Sequence, residues 1–164
     1  MIALVRVDNR LLHGQILEAW LPRLGARRVV VADDASASTP LARQAMTLCL
    51  PPDLPAEISP VDGVDWDALA ARKEPVVVLV RDIADLSRAV ASGLASRHVR
   101  RINVGNVHHA PGRRPVTPSV FLTAAEGAEL VRLAGLGFEV EARAIPTDAP
   151  LAVNEIAERA ARSK

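Results

Sequence analysis

Residues 5–20 read VRVDNRLLHGQILEAW, from Val5 to Trp20, and the change of period inside this stretch decides the fold. Upstream, residues 2–7 are nearly all apolar and rich in β-branched side chains, the pattern of a strand buried on both faces. The run stops at Asp8-Asn9-Arg10. Beyond it every fourth residue is apolar, Leu12, Ile16, Trp20 and Leu24, flanked by Leu17 and Leu21. A strand therefore hands over to a helix spanning about 12–24. At the handover stand a carboxylate, an amide, a guanidinium and an imidazole, Asp8, Asn9, Arg10 and His13, followed by Gly14 and Gln15. Polar groups at the carboxyl end of a strand are where open α/β sheets keep their chemistry.

The same alternation continues along the chain. Residues 28–32 form a second buried strand that ends in Asp33-Asp34. Ser36 or Ser38 offers a helix N-cap, Pro40 suits a first turn, and Leu41, Ala45, Leu48 and Cys49 have helical spacing up to the Pro51-Pro52 stop. Residues 56–61 read as a less regular strand, and Pro60 within it suggests an edge. A short helix over 64–72 carries Trp66 and Leu69 on its inner side. The strongest strand, 75–80, closes on Arg81-Asp82, and Ile83, Leu86, Val90 and Leu94 put the next segment in helical register. Residues 101–104 run as a strand into Gly105-Asn106, before a polar loop at 108–115 and an extended piece at 116–122. Thr123 with Glu126 makes a capping box for a helix to about residue 134. A last strand at 138–145, broken by Pro146, and a closing helix at 151–162 complete the pattern. Strands separated by helices of this length predict an α/β domain spanning residues 1–164, a single doubly wound, mostly parallel sheet with helices on both faces.

At 164 residues such a domain buries about 70% of the surface of its unfolded chain and needs no disulfide or metal to fold. The lone Cys49 has no partner for an internal bridge. No leader or membrane-length apolar run is visible, so the expectation is a cytoplasmic protein without direct membrane insertion. With 20 basic and 19 acidic side chains the net charge is +1, too little to gather nucleic acid by its field. The aromatic set, Trp20, Trp66, Phe121 and Phe138, is too small for base stacking. No GxGxxG follows the first strand, and neither a P-loop nor a Gly-x-Ser-x-Gly elbow is present.

In a doubly wound sheet the loops after the strands share one edge, so Asp8, Asn9, Arg10 and His13 are expected to share a crevice with Asp33-Asp34, Arg81-Asp82 and Gly105-Asn106. His13 is the reactive candidate, because an imidazole has a nitrogen lone pair that can attack, move a proton or bind metal. A phosphoryl group on His13 would sit at a helix start, where free N–H groups and the helix dipole favour anions. Gly14 admits close backbone approach, Arg10 offers a donor fork, and Asp8 can orient the ring through its other nitrogen. Read alone, the motif also fits a capping histidine, and Asp8 with Arg10 fits an ordinary ion pair. Asp33-Asp34 equally fits a helix-entry turn. His108-His109 lacks a neighbouring Cys or carboxylate cluster, which disfavours a metal centre; with Arg113-Arg114 it forms a small basic patch.

VRVDNRLLHGQILEAW resembles the amino-terminal motif of the IIB components of the mannose/fructose/sorbose family of the bacterial phosphotransferase system, R-[IV]-D-[DS]-R-L-[IL]-H-G-Q-[VI] followed by W. Arg6, Val7, Asp8, Arg10, Leu11, Leu12, His13, Gly14, Gln15, Ile16 and Trp20 match it. VVVADDASAS, RINVGNVH and VFLTAAEGAELVRLAGLGFEVEARAIPTD resemble later segments, so the likeness covers essentially the whole chain. It implies a phosphocarrier. His13 would accept a phosphoryl group from a phosphohistidine IIA protein, becoming a pros-phosphohistidine, and pass it to a mannose-, fructose- or sorbose-type sugar entering through the membrane components IIC and IID. Arg10 would contact the phosphate, with Asp8 catalytic beside it and Gly14, Gln15, Asp34 and Arg81 binding phosphate or shaping the loop. No bound cofactor or metal is implied, and the IIA donor would be a separate protein. Asn9 replaces a second acidic residue of many members, and Asn106-Val107 replaces Gly-Met. Two other readings stay open: a regulatory phosphorelay without a sugar step, and an α/β module that binds an anion or partner. A metal-dependent hydrolase using His108-His109 is a further, distant one.

Overall fold

The computed structural model describes residues 1–48 and 50–162; the expected helical position of Cys49 lies outside them. Nine strands and seven α-helices follow one another along these residues. They are β1 (Ile2–Asp8), α1 (Leu21–Leu24), β2 (Arg28–Ala32), α2 (Asp34–Ser38), α3 (Pro40–Leu48), β3 (Ala56–Ser59), α4 (Trp66–Ala70), β4 (Val76–Val80), α5 (Ile83–Ala91), β5 (Arg101–Asn106), β6 (Arg114–Thr117), β7 (Val120–Leu122), α6 (Ala124–Gly135), β8 (Glu139–Ala142), β9 (Leu151–Ala152) and α7 (Val153–Ala161). Seven strands form one sheet in the order β3-β2-β4-β1-β5-β8-β9. Every pairing is parallel except β8 with β9. β6 and β7 make a separate antiparallel pair, a hairpin that the sequence showed only as one extended piece. β3, followed directly by Pro60, is an edge strand as its composition suggested.

β1, β2 and β4 are buried on both faces, because helices cover both. On one side Val5, Val7, Val78 and Val80 pack with α4, α5, α6 and α7 through Trp66, Leu86, Leu130 and Ile156. On the other, Leu4, Val29, Val31, Val77 and Leu79 pack with Leu11, just ahead of the first helical segment, and with Ile16, Trp20 and Leu21 within it. The strand period of two sends Leu4, Arg6 and Asp8 of β1 to this second face.

The first helix departs from the expected 12–24. Leu11 takes a left-handed backbone, φ 55°, and its N–H donates to the Asp8 carbonyl at 2.9 Å, a tight turn that drops its side chain into the core. Helix begins at Gly14 and widens to a π-helical stretch at Ile16–Trp20, where the Leu21 N–H reaches back five residues to the Ile16 carbonyl. Pro22 follows and brings no N–H, so regular α-helical bonding cannot pass through it.

The region after β2 also differs. Asp33, ahead of either expected serine, caps α2 by accepting from the Ser36 N–H, and an extended Thr39 separates α2 from α3. In α3 the apolar stripe faces outward: Leu41 and Leu48 are 74% and 77% exposed, while Met46 packs on the core. Met46 therefore sets which side of the helix turns in. The capping box is formed as read, Thr123 accepting from the Glu126 N–H while Glu126 accepts from the Thr123 N–H.

Candidate active site

β1 lies between β4 and β5. The chain leaves β1 toward β2 on one side and leaves β5 toward β8 on the other, so the carboxyl ends of β1 and β5 flank a topological switch point. Asp8 ends β1 there, fully buried, with Arg6 fully buried two residues before it. Asp8 Oδ2 accepts from Arg6 Nη2 at 2.8 Å and Nε at 3.2 Å, and lies 3.0 Å from His13 Nε2. Asp8 Oδ1 accepts from the Arg10 N–H at 3.1 Å, with the Arg10 guanidinium Nε at 3.5 Å. Burial by itself would raise the Asp8 carboxyl; the hydrogen bond from His13 and the charge of Arg6 outweigh it and hold the group below its ordinary range. The ionised carboxylate thus faces the Nε2 edge of His13, which leaves Nδ1 as the nitrogen not engaged by Asp8.

Arg6 is the residue that sequence reading placed in the motif without giving it a role. Its guanidinium donates to Asp8, to Asn103 Oδ1 and to the Arg143 carbonyl, the last at 3.3 Å, and lies 5.1 Å from the centroid of the Trp20 ring. Gly105 makes room for it: a Cβ there would lie 1.8 Å from Arg6 Cζ. The sequence signal was an arginine inside a strand buried on both faces, two residues from an aspartate and so on the same side.

Arg10 is half exposed and donates from Nη2 to Gln15 Oε1 at 2.9 Å. Gln15 and Arg10 therefore join the group around His13. A Cβ at Gly14 would have only Glu18 Oε1 within 4 Å, at 3.9 Å, so internal packing leaves space for a side chain there. The His13 carbonyl accepts from the Ile16 and Leu17 N–H groups; Gly14 and Gln15, the two residues just before Ile16, have no intrahelical acceptor by position.

Asn9 ties the neighbouring loops to this one. Its Nδ2 donates to the Arg81 carbonyl at 2.7 Å and its Oδ1 accepts from the His108 N–H at 2.6 Å. An aspartate at this position could accept but not donate. Arg81 grips Asp33 with Nε and Nη2 at 2.7 and 2.8 Å, and its Nη1 reaches the Asn9 carbonyl at 3.4 Å. It shapes the loop from behind. Asp34 is not brought to this group. Its Oδ1 accepts from the Val61 N–H and its Oδ2 pairs with Arg88, so the carboxylate that meets Arg81 is Asp33.

Burial pushes the Asp33 carboxyl up, but hydrogen bonds from Arg81 and Ser36 prevail and bring it down to about 2. A folded-state value below the unfolded one, about 3.9, means stability that is present above about pH 4 and lost as pH falls through about 2. We expect this group to contribute about 2 kcal/mol at neutral pH after allowance for the partial exposure of Arg81. Urea midpoints measured from pH 6 to pH 2 should fall less steeply in Asp33→Asn than in wild type.

The remaining candidates fall elsewhere in role. Arg113 is held by Glu126 and by the His108 carbonyl. His108 and His109 are exposed, His109 standing edge-on to Phe121 at 5.6 Å. Among the described residues no group of three or more His, Cys, Asp or Glu side chains is placed to hold a metal ion, and no helix is long and apolar enough to cross a membrane.

An open doubly wound sheet with a histidine bound to a buried carboxylate at its switch point defines an α/β protein that presents an imidazole at a helix start. The sequence model of the PTS system sorbose subfamily IIB component matches residues 2–164, and the chain belongs to that family. It is 31% identical over 148 residues, 90% of its length and 92% of the relative's, to the N-acetylgalactosamine-specific phosphotransferase enzyme IIB component 2 of Escherichia coli (strain K12). It is 25% identical over 158 residues to the mannose-specific EIIAB component of the same organism, covering 95% of its own length but 48% of that relative's. The crystal structure of the IIBSor domain of the sorbose permease from Klebsiella pneumoniae superimposes with a TM-score of 0.82 over 99% of each chain at 23% identity. The fold expectation is thereby met: a mostly parallel sheet with helices on both faces.

Proposed function

We propose that His13 is the phosphoryl acceptor of this IIB component and that Nδ1 is the atom modified. The carrying observation is the 3.0 Å contact between His13 Nε2 and the buried Asp8 carboxylate, which fixes the ring with its proton on Nε2 and its lone pair on Nδ1. In the forward step that lone pair forms the new N–P bond. The bond between phosphorus and the donor's imidazole nitrogen breaks, and the donor ring keeps its electron pair. His13 retains its Nε2 proton and becomes a phosphoimidazolium, whose positive charge Asp8 stabilises. In onward transfer a hydroxyl oxygen of the acceptor attacks phosphorus, the pair returns to Nδ1, and the hydroxyl proton is released.

The surroundings suit a phosphoryl dianion. Arg10 offers a guanidinium beside the ring, and the helix start offers the N–H groups of Gly14 and Gln15. Catalysis of this kind is largely positioning and charge stabilisation, which Asp8, Arg10 and the helix start supply in this reading. Membership of the family supports a phosphorylated IIA protein as donor. It also supports a sugar of the mannose, fructose, sorbose or N-acetylgalactosamine type, taken up through IIC and IID membrane components, as the final acceptor, with the chain itself acting from the cytoplasm. Arg81, through Asp33 and Asn9, keeps the loop in place, and Asp34 takes no part in phosphate contact.

The test is intact mass after incubation with phosphoenolpyruvate, the general phosphotransferase proteins and a candidate IIA. One acid-labile phosphoryl group should appear on wild type, and no incorporation with any competent donor overturns the reading. Arg10→Lys should be phosphorylated about tenfold more slowly, because a point charge cannot reproduce the guanidinium fork; quench-flow initial rates measure this.

A further inference from the structure

Trp20 is buried on the sheet face to which β1 sends Arg6 and Asp8, and the chemistry proposed above gives it no part. Two cations stand over its indole, Arg6 Cζ at 5.1 Å from the ring centroid and Arg143 Cζ at 5.5 Å. Its Nε1 donates to the Ala144 carbonyl at 3.0 Å, which fixes the ring against the chain that leaves β8. Trp20 also closes the π-helical stretch Ile16–Trp20, a widened turn of a kind that recurs at functional sites.

The indole completes the surroundings of Arg6. That guanidinium donates to Asp8 Oδ2 through Nε and Nη2, and through Nη1 to Asn103 Oδ1 and the Arg143 carbonyl. These bonds hold it within its own plane. Gly105 lies against its face: a Cβ there would be 1.8 Å from Cζ and 2.0 and 2.1 Å from Nη2 and Nη1. The indole adds an apolar wall whose negative face attracts the cation. Burial opposes the charge on Arg6, and an attractive surface that needs no hydrogen bond offsets part of that penalty.

The contact spans two elements. Arg6 and Asp8 belong to β1, whereas Trp20 lies seven residues beyond His13 in the helical segment that His13 precedes. Seating the indole on Arg6 therefore sets how the helix start lies against the strand. With it goes the 3.0 Å contact of His13 Nε2 with Asp8 Oδ2, the same oxygen that the Arg6 fork grips. We infer that Trp20 is a positioning residue for phosphoryl transfer: its indole holds the Arg6 fork on Asp8, which keeps Asp8 on His13 Nε2 and leaves Nδ1 to react. This rests on the phosphocarrier reading above. Being buried, the ring acts through Arg6 and not on the phosphoryl group.

The experiment compares wild type with Trp20→Phe and Trp20→Met. It measures transfer from a phosphorylated IIA protein, the melting temperature, and the tautomer of neutral His13 by nitrogen-15 NMR of the unphosphorylated chain. Both variants lose the bond to the Ala144 carbonyl, so both should melt below wild type. Only Trp20→Phe keeps an aromatic face. Its maximal transfer rate should stay within about threefold of wild type, while Trp20→Met falls about tenfold with KM for the donor unchanged. The Nε2-protonated form of His13 should dominate in wild type and Trp20→Phe, and give way to a mixture of tautomers in Trp20→Met. Fluorinated tryptophan, incorporated in a Trp66→Phe background, keeps the shape of the core if Trp20→Met does not fold. There the rate should fall with each added fluorine, as the ring face loses its negative charge. Rates that follow melting temperature, with the His13 tautomer unchanged, make the ring merely structural and overturn the inference, as does a rate indifferent to fluorine. A wild type that no donor phosphorylates, with the tautomer still altered in Trp20→Met, overturns the phosphocarrier reading and leaves the positioning of the ring standing.

Discussion

His13→Ala is expected to lose phosphoryl acceptance altogether, at least about a thousandfold below wild type, since no other nucleophile replaces a covalent acceptor. The fold should survive. The ring is partly exposed at a turn, and Asp8 keeps its bonds to Arg6 and to the Arg10 N–H when the imidazole is gone. Stability should fall by no more than about 1 kcal/mol, the scale of one net hydrogen bond. Quench-flow transfer assays and urea melts on the same preparation separate the two halves of this expectation. A variant that unfolds without cooperativity, or one that still accepts the group, contradicts it.

Arg6→Met is expected to be the most damaging substitution for stability. It leaves the Asp8 carboxylate buried and without its main counter-charge, a loss of about 3–5 kcal/mol at neutral pH. The sign of its pH dependence is specific. Without Arg6, burial is opposed only by the bonds from His13 and the Arg10 N–H, so the Asp8 carboxyl rises relative to wild type and the stability it contributes above about pH 4 is reduced. The deficit against wild type should therefore shrink on acidification, and the double variant Arg6→Met with Asp8→Leu should recover much of the loss. A deficit that grows steadily at low pH contradicts the ion-pair account. The same variant also removes the leading charge that helps keep Asp8 ionised, so it should slow transfer as well as weaken the fold.

Much of this arrangement is legible in the sequence because it is local. The change of period at Asp8 marks the strand-to-helix handover, the glutamate three residues after Thr123 marks a capping box, and the motif joins Asp8, Arg10, His13 and Gln15 over eight residues. What escapes depends on strand order. That Arg6 would find Asn103 beside it and that Gly105 would clear space for its guanidinium follow from β1 lying beside β5, and that Arg81 would meet Asp33 follows from β2 lying beside β4. Periodicity says that a segment is a strand, and it says nothing of which strand lies next to it. The outward stripe of α3 has a related cause: Leu41, Ala45 and Leu48 share a helix face, yet the packing of Met46 decides which face turns in. The left-handed Leu11 leaves no mark at all, since leucine does not favour that conformation.

The orientation of His13 by Asp8 is the centre of the account, and the nitrogen that carries phosphorus reports it directly. The measurement is a phosphorus–proton and nitrogen correlation spectrum of the protein labelled with nitrogen-15 at histidine, phosphorylated by a competent IIA donor. Phosphorus coupled to Nδ1 of His13, with a protonated Nε2, is the predicted result. Phosphorus on Nε2 would contradict it, because that nitrogen can be reached only after the ring has left Asp8.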